Sequence, residues 1–460
     1  MNNSKLLFFS TLFTVSTVNA QVIIDPQLIE PIKNAINTSY EIQNKALEIE
    51  KNKYQIDEVN GKLKPNVSAL ALGTYYYANG SIDLPTKSIE ILNLNLFEGS
   101  KNFTAQGGLA TLGVTASQVI FSGLQVPNAI KAIEEKNLAF ENLKDAQKEQ
   151  IAKDVVSTFD QIMLLAKVEE LIQNSAKRLD KEHQKVQKAI QNGLAIPYDR
   201  EKIKLAMLEL ESKQVEIRGN RQLLYDKLKV ITHLPQEQLE NIHYNLTPID
   251  VLTSELDLSN KKEIKALEHS IKAYEFLYEK EKGAHLPQVF AFAGANFASA
   301  FGNKFTLKDV DYLGDVRLGV KNLSMFPAAF VGIGAKWELL DGGQHKNKLY
   351  QAKSDILINQ NKLKDSEEKL NLLLSKTKVE YETASEKLKV NQQQNTVATN
   401  NLDIASKRFQ EGLIDVTERL AAENDYYKAN LGYYNQIVDQ RLKTFEVLNA
   451  SGELLNKIYN

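Results

Sequence analysis

Six histidines, His183, His233, His243, His269, His285 and His345, are the side chains best suited to ligate a transition metal or move a proton near neutral pH. Ligands to one metal recur at short, fixed separations. These six are scattered without such spacing. No cysteine occurs, which removes thiolate ligands, thiol nucleophiles and disulfides. No HExxH or P-loop is found, and Gly332-Ile333-Gly334 lacks the third glycine of a dinucleotide loop. Asn37-Thr38-Ser39 and Asn66-Val67-Ser68 match a glycosylation tripeptide that is frequent by chance. The 56 Lys+Arg nearly balance the 58 Asp+Glu, so the chain has no basic footprint for nucleic acid. The residues point away from an enzyme and call for no cofactor and no metal.

The elements around them are more informative. The first 20 residues read as a secretory signal: Lys5 is its positive start, Leu6 to Val18 its apolar stretch, and Val18-Asn19-Ala20 its cleavage site. No cysteine follows that site, so no lipid anchor is expected there. No later run approaches the roughly 20 apolar residues of a membrane helix. An exported chain of this kind is either soluble or a β-barrel, whose alternating strands escape hydropathy detection.

An internal duplication organises the rest. Pro65 leads into strand-like Asn66–Tyr77, and Pro287, 222 residues on, leads into Gln288–Phe297. Strand-like Leu109–Gly123 and Phe330–Gly342 each end at a glycine before a helix, and Gly342 follows Gly123 by 219 residues. Gln191-Asn192-Gly193-Leu194 and Gln410-Glu411-Gly412-Leu413 interrupt long helical stretches at the same offset. The expected parts are a signal at 1–20, a first repeat at 21–240 and a second at 241–460. Each repeat reads as helix, strand pair, long helix, turn and returning helix.

Within Val331–Leu339, Val331, Ile333, Ala335, Trp337 and Leu339 alternate with Gly332, Gly334, Lys336 and Glu338, one apolar and one polar face. Long helices are expected over Leu124–Gln191 and Gly343–Gln410, since only Pro127 in a first turn interrupts either. Leu165, Ile172, Leu179 and Val186, and Leu349, Ile356, Leu363 and Leu370, recur every seven residues, as coiled-coil packing requires. Returning helices are expected over Asp199–Thr232 and Ile414–Lys457. A break is expected over Leu234–Asn260, followed by a helix over Lys261–Lys282. Four strands per chain leave sheet edges that lipid does not tolerate, so closure between chains is expected.

These landmarks resemble the TolC family of outer-membrane efflux proteins across the mature chain. The resemblance rests on Pro65, Pro287, Gly123, Gly342, the turns at Gly193 and Gly412, and the segment Arg408–Ala422, RFQEGLIDVTERLAA. It implies a mostly α fold with β: a trimeric 12-stranded outer-membrane β-barrel continuous with a long 12-helix periplasmic α-barrel of coiled-coil helices. It also implies a homotrimer in outer-membrane lipid, extending into the periplasm. A periplasmic adaptor (membrane fusion) protein would link it to an inner-membrane pump. Adaptor docking then falls to Gly193, Leu194, Gly412 and Leu413. A periplasmic gate of acidic residues falls to Glu418, with Glu411, Asp415 and Asp199 nearby. Phe409, Ile414 and Ala421 depart from the family's latch and from its second acidic ring. The rival reading is a soluble periplasmic coiled-coil scaffold or adaptor.

Overall fold

The computed structural model describes residues 24–83, 87–89, 94–97 and 99–459; the expected signal segment lies outside them. The chain forms two compact units. One gathers the chain up to Glu50, Asn137–His269 and the chain from Asn359 on; the other is Lys51–Lys136 with Ser270–Ile358. Each takes parts of both repeats. In chain order the elements are α1 Ile29–Thr38, α2 Tyr40–Gly61, β1 Asn66–Asp83, β2 Lys87–Ile89, β3 Leu94–Phe97, β4 Ser100–Phe121, α3 Gln125–Gln191 and α4 Pro197–Thr232. Then follow α5 Gln236–Glu240, α6 Lys262–Gly283, β5 Gln288–Val310, β6 Gly314–Lys336, α7 Gln344–Gln410, α8 Val416–Ser451 and α9 Leu454–Tyr459.

The sheet unit carries four antiparallel strands in the order β1-β4-β5-β6, with a separate β2-β3 pair. Pairing in the two hairpins runs in matching register. Asn66 pairs with Ser117 and Thr74 with Leu109; Gln288 pairs with Lys336 and Asn296 with Ala328. The residues at offsets of 222 and 219 therefore occupy equivalent positions.

All four strands are longer than expected. β1 and β5 run on past Tyr77 and Phe297, and β4 and β6 begin at Ser100 and Gly314 rather than at Leu109 and Phe330. Their extensions keep a short alternation, Phe103 and Ala105 against Asn102 and Thr104 on β4 and Phe305 and Leu307 against Lys304, Thr306 and Lys308 on β5, and the two apolar pairs face one another. The fourth strand stops at Lys336 rather than Gly342, because its partner begins at Gln288. Beyond it the Trp337 indole donates to the His285 carbonyl at 3.0 Å, so Trp337, Glu338 and Leu339 belong to no strand face.

Register also defines the faces. One face is apolar on all four strands: Val67, Ala69, Ala71, Gly73 and Tyr75 on β1, Ala110, Leu112, Val114 and Ala116 on β4, Ala291, Ala293 and Ala295 on β5, and Ala329, Val331, Ile333 and Ala335 on β6. On β1 it runs from Val67 to Tyr77, the length a tilted strand needs to cross a bilayer. The opposite face mixes polar groups, such as the Ser68 and Thr115 hydroxyls 2.9 Å apart, with aromatic rings. The expected polar face of β6 is corrected in part: Phe292 and Phe290 cover Gly332 and Gly334, where an added Cβ would meet the rings at 2.7 and 2.6 Å.

In the helical unit, α3 and α7 continue to their C-terminal turns; each helix is 67 residues in all. On α3, Ile172, Leu179 and Val186 are buried and Leu165 is half-buried; on α7 the expected Leu349, Ile356, Leu363 and Leu370 are only half-buried, and burial is deeper beyond them, in alternating steps of three and four from Leu374 through Thr377, Tyr381 and Ala384 to Leu388. The C-terminal helix ends at Ser451, not Lys457. Gly452 takes φ 78°, and an added Cβ there would meet the Asn260 carbonyl at 2.7 Å.

The apolar core draws on both repeats, with Leu28, Phe159, Leu228, Leu239, Phe445 and Leu448 fully buried. The expected break over 234–260 is a connector bound along its length. Gln440 donates to the Ile249 carbonyl at 2.7 Å and accepts from the Ile249 N–H at 3.0 Å. Tyr381 accepts from the Val251 N–H, and Lys378 donates to the Leu256 carbonyl. Arg441 donates to Asp160 at 2.7 Å and to the Thr247 carbonyl at 2.9 Å, and Tyr244 donates to Asp160 at 2.6 Å. Asp160 and Arg441 are 1% and 4% exposed, so this ion pair ties the first repeat to the second in the dry interior.

Glu149 is buried with one carboxylate oxygen lacking a partner. Burial pushes its carboxyl up to about 7, against the opposing pull of Lys261. A folded-state pKa above the unfolded 4.5 means the folded chain binds the extra proton between those values. Stability from this group is therefore full at low pH and falls as pH rises through 7. Glu149→Gln is expected to raise the unfolding midpoint at pH 8 and leave it nearly unchanged at pH 4.5, as followed by helical circular dichroism.

Candidate functional site

The turns ending α3 and α7 share one geometry. Gly193 and Gly412 take φ 75° and 72°, the left-handed conformation in which a side chain is strained. The Leu194 N–H donates to the Ala189 carbonyl at 2.8 Å, and the Leu413 N–H to the Arg408 carbonyl at 2.9 Å. These bonds close the helix ends and leave Leu194 and Leu413 81% and 68% exposed. Two apolar side chains thus project from glycine-hinged tips.

The acidic residues near these tips divide by role. Asp415 caps α8, accepting from the Glu418 N–H at 2.8 Å. Asp199 reaches back to the Ile196 N–H at 3.4 Å. Both carboxylates serve helix starts. Glu418, on the first turn of α8, and Glu411 are exposed and spend no carboxylate on a cap.

Sequence reasoning missed the group that joins the two hairpins. Arg178 donates to Glu423 at 2.6 Å, and Arg419 meets Glu182 at 2.6 Å and Glu423 at 3.0 Å. Arg419 is 1% exposed. Burial would raise Glu423, yet its bonds from Arg178 hold it below the ordinary carboxylate range. Burial pushes Glu182 up. Lys202 donates to the Thr417 hydroxyl at 2.7 Å, a second link between hairpins. The available signal was an arginine at an inward heptad place, three residues after Val416 and four before Glu423.

In the sheet unit, Pro65 and Pro287 stand just before β1 and β5. Gly123 turns β4 into α3 with φ 66°, and an added Cβ would meet the Gly283 carbonyl at 2.5 Å. Gly342, its equivalent in the second repeat, takes φ 65° with nothing within 4 Å.

Residues 254–444 match the family described as outer membrane efflux protein. Over that segment the chain is similar to an outer membrane efflux protein domain. The match spans the end of the connector, α6, β5, β6, α7 and most of α8. A comparison with curated protein sequences gives no match. Among solved structures, a membrane protein from Pseudomonas aeruginosa is 14% identical with a TM-score of 0.71, over 94% of this chain and 95% of that one. The outer membrane protein VceC of Vibrio cholerae is 14% identical with a TM-score of 0.68, over 93% and 96%. The CmeC outer membrane channel of Campylobacter jejuni is 14% identical with a TM-score of 0.68, over 98% and 94%. The efflux domain therefore sits in a chain with the TolC-like fold, antiparallel strands with long helical hairpins.

Proposed function

We propose that the chain is one third of a passive exit channel in the outer membrane. It would serve a tripartite efflux or type I secretion system, taking cargo from an inner-membrane pump through a periplasmic adaptor. The observation that carries the reading is the open edge of the sheet. Among the described residues β1 and β6 each pair on one side only, while one face of the sheet carries an apolar band across all four strands. Unpaired edges are untenable in lipid, so a second copy must supply the partner strand. Three chains of four strands close a barrel of twelve.

The duplication says how copies would meet. Gly123 lies against Gly283 within the chain; the equivalent pair, Gly342 and Gly61, is unfilled on both sides. A ring of copies places Gly342 of one against Gly61 of the next. A soluble scaffold or adaptor, the rival reading, gives no reason for an apolar sheet face of bilayer height.

In this reading Gly193, Leu194, Gly412 and Leu413 dock the adaptor, and Glu418, with Glu411 beside it, lines the periplasmic constriction. Asp415 and Asp199 support the gate as caps. Carboxylates converging around an axis attract cations. The detergent-solubilised chain is expected to have a trimer mass by light scattering and to conduct in planar bilayers with cation selectivity. Glu418→Ala is expected to lower that selectivity and weaken block by multivalent cations, with assembly unchanged. A monodisperse monomer would sink the channel reading; unchanged selectivity and block would remove Glu418 from the gate alone.

A further inference from the structure

We propose that the groove between α3 and the α7–α8 hairpin binds an anionic group, a carboxylate or a phosphate, held by Arg419, Lys181, Lys185 and Lys188. Arg178, Lys181, Lys185 and Lys188 follow steps of three, four and three, which puts four cations on one stripe of α3. They border a cavity of about 340 Å³ together with Glu182 and Arg419. Arg178 is occupied by Glu423. The three lysines are exposed and make no ion pair among the described residues. With Arg419, five cations face the two carboxylates Glu182 and Glu423, a surplus of three positive charges.

Arg419 supplies the second observation. It is 1% exposed, yet its Nε and Nη1 have no hydrogen-bond partner, and only Nη2 reaches Glu182 and Glu423. A guanidinium has donors only, and leaving buried donors open is costly. Charge-assisted bonds to an oxyanion would satisfy them.

The duplication argues that these charges are not there for the fold. At the offset of 219, the equivalents of Arg178, Lys181 and Lys185 are Val397, Asn400 and Ile404 on α7, and only Lys188 is matched by a cation, Lys407, which pairs with Asp403. The equivalent of Arg419 in the first repeat is Arg200, half-buried and paired with Glu201. The same helical hairpin is therefore built elsewhere in this chain without a buried, half-satisfied arginine beside a lysine stripe. The inference does not depend on the channel reading, since it concerns side chains within one copy.

The test is calorimetric titration of the full chain in detergent at fixed ionic strength with three probes: inorganic phosphate, glutarate and a short glutamate-containing peptide. Saturable binding of at least one probe is expected. The double variant Lys185→Gln/Lys188→Gln is expected to weaken it about tenfold, and Lys227→Gln on α4 to leave it unchanged. Arg419→Lys keeps a cation for Glu182 and Glu423 but loses the open N–H groups, so it should weaken binding as well. Should that variant lose helicity, the lysine pair, which is exposed and unpaired, carries the test. Tighter binding of phosphate or glutarate identifies a free anion as the ligand; tighter binding of the peptide identifies an acidic side chain of a docked protein. No saturable binding of any probe, or equal affinity in the double variant, overturns the site.

Discussion

A chain carrying Gly73→Cys and Ile333→Cys is expected to become covalent trimers on oxidation, seen as a ladder in denaturing gels. The positions come from the duplication. Val114 pairs with Ala295 inside the chain; their equivalents, Ile333 and Gly73, belong to the two free edges. The transferred register puts both on the apolar face, the face each already occupies within its own copy. A register wrong by one residue would have put them on opposite faces. The chain has no native cysteine, so every bridge is informative. Within one open sheet, β1 and β6 are three strand spacings apart, about 14 Å, beyond disulfide reach. The slipped pair Thr74→Cys and Ile333→Cys should stay monomeric. Bridging in the slipped pair alone would refute the transferred register, and intrachain bridging in dilute detergent would mean that the sheet closes on itself.

The second large effect concerns stability. Asp160→Ala is expected to cost about 3–5 kcal/mol, the range for removing one partner of a buried ion pair. Asp160 accepts from Arg441 and Tyr244 at once, and burial with the Asp160 charge pushes the Tyr244 hydroxyl's ionisation up. Removing it leaves a guanidinium and a phenol hydroxyl facing an apolar wall. The double variant Asp160→Leu/Arg441→Met removes both charges and should recover much of the loss. Denaturant unfolding followed by helical circular dichroism distinguishes the cases. A loss below about 1 kcal/mol for Asp160→Ala would show that water reaches the pair.

Much of this fold was legible because long helices and duplicated landmarks are local signals. The C-terminal turns of α3 and α7 fall where Gly193 and Gly412 place them, since a helix without internal glycine or proline has no other reason to stop. The heptads of α3 packed as read, because a repeat of seven fixes a face without knowledge of its partner. Strand ends were less legible. Along β5 the alternation of Phe305 and Leu307 with Lys304, Thr306 and Lys308 is brief, and the reach of the strand is set by its pairing with β4 and β6. Trp337 continued an apolar alternation, yet its strand had already run out of partner. At the hairpin tips, the roles of Asp415 and Asp199 as caps depend on dihedral geometry. The spacing of Arg419 from Val416 and Glu423 marks it as inward, but its partner Glu182 on α3 lies more than two hundred residues away and is not announced.

The seam along α7 constrains how this chain can change in length. Its buried positions keep a seven-residue beat, whereas an unstrained α-helix turns about 100° per residue and drifts by about 20° in each heptad. Between Leu374 and Leu402, both buried, that drift amounts to about 80° over four heptads, so the helix must wind around its neighbours to keep its face. A single inserted residue would swing everything beyond it by about 100° and carry the seam out of register. Seven inserted residues would leave every downstream side chain facing as before and add about 10 Å. Growth and shrinkage of the helical region are therefore quantised, and viable length variants are expected to differ by multiples of seven in each of the paired helices together.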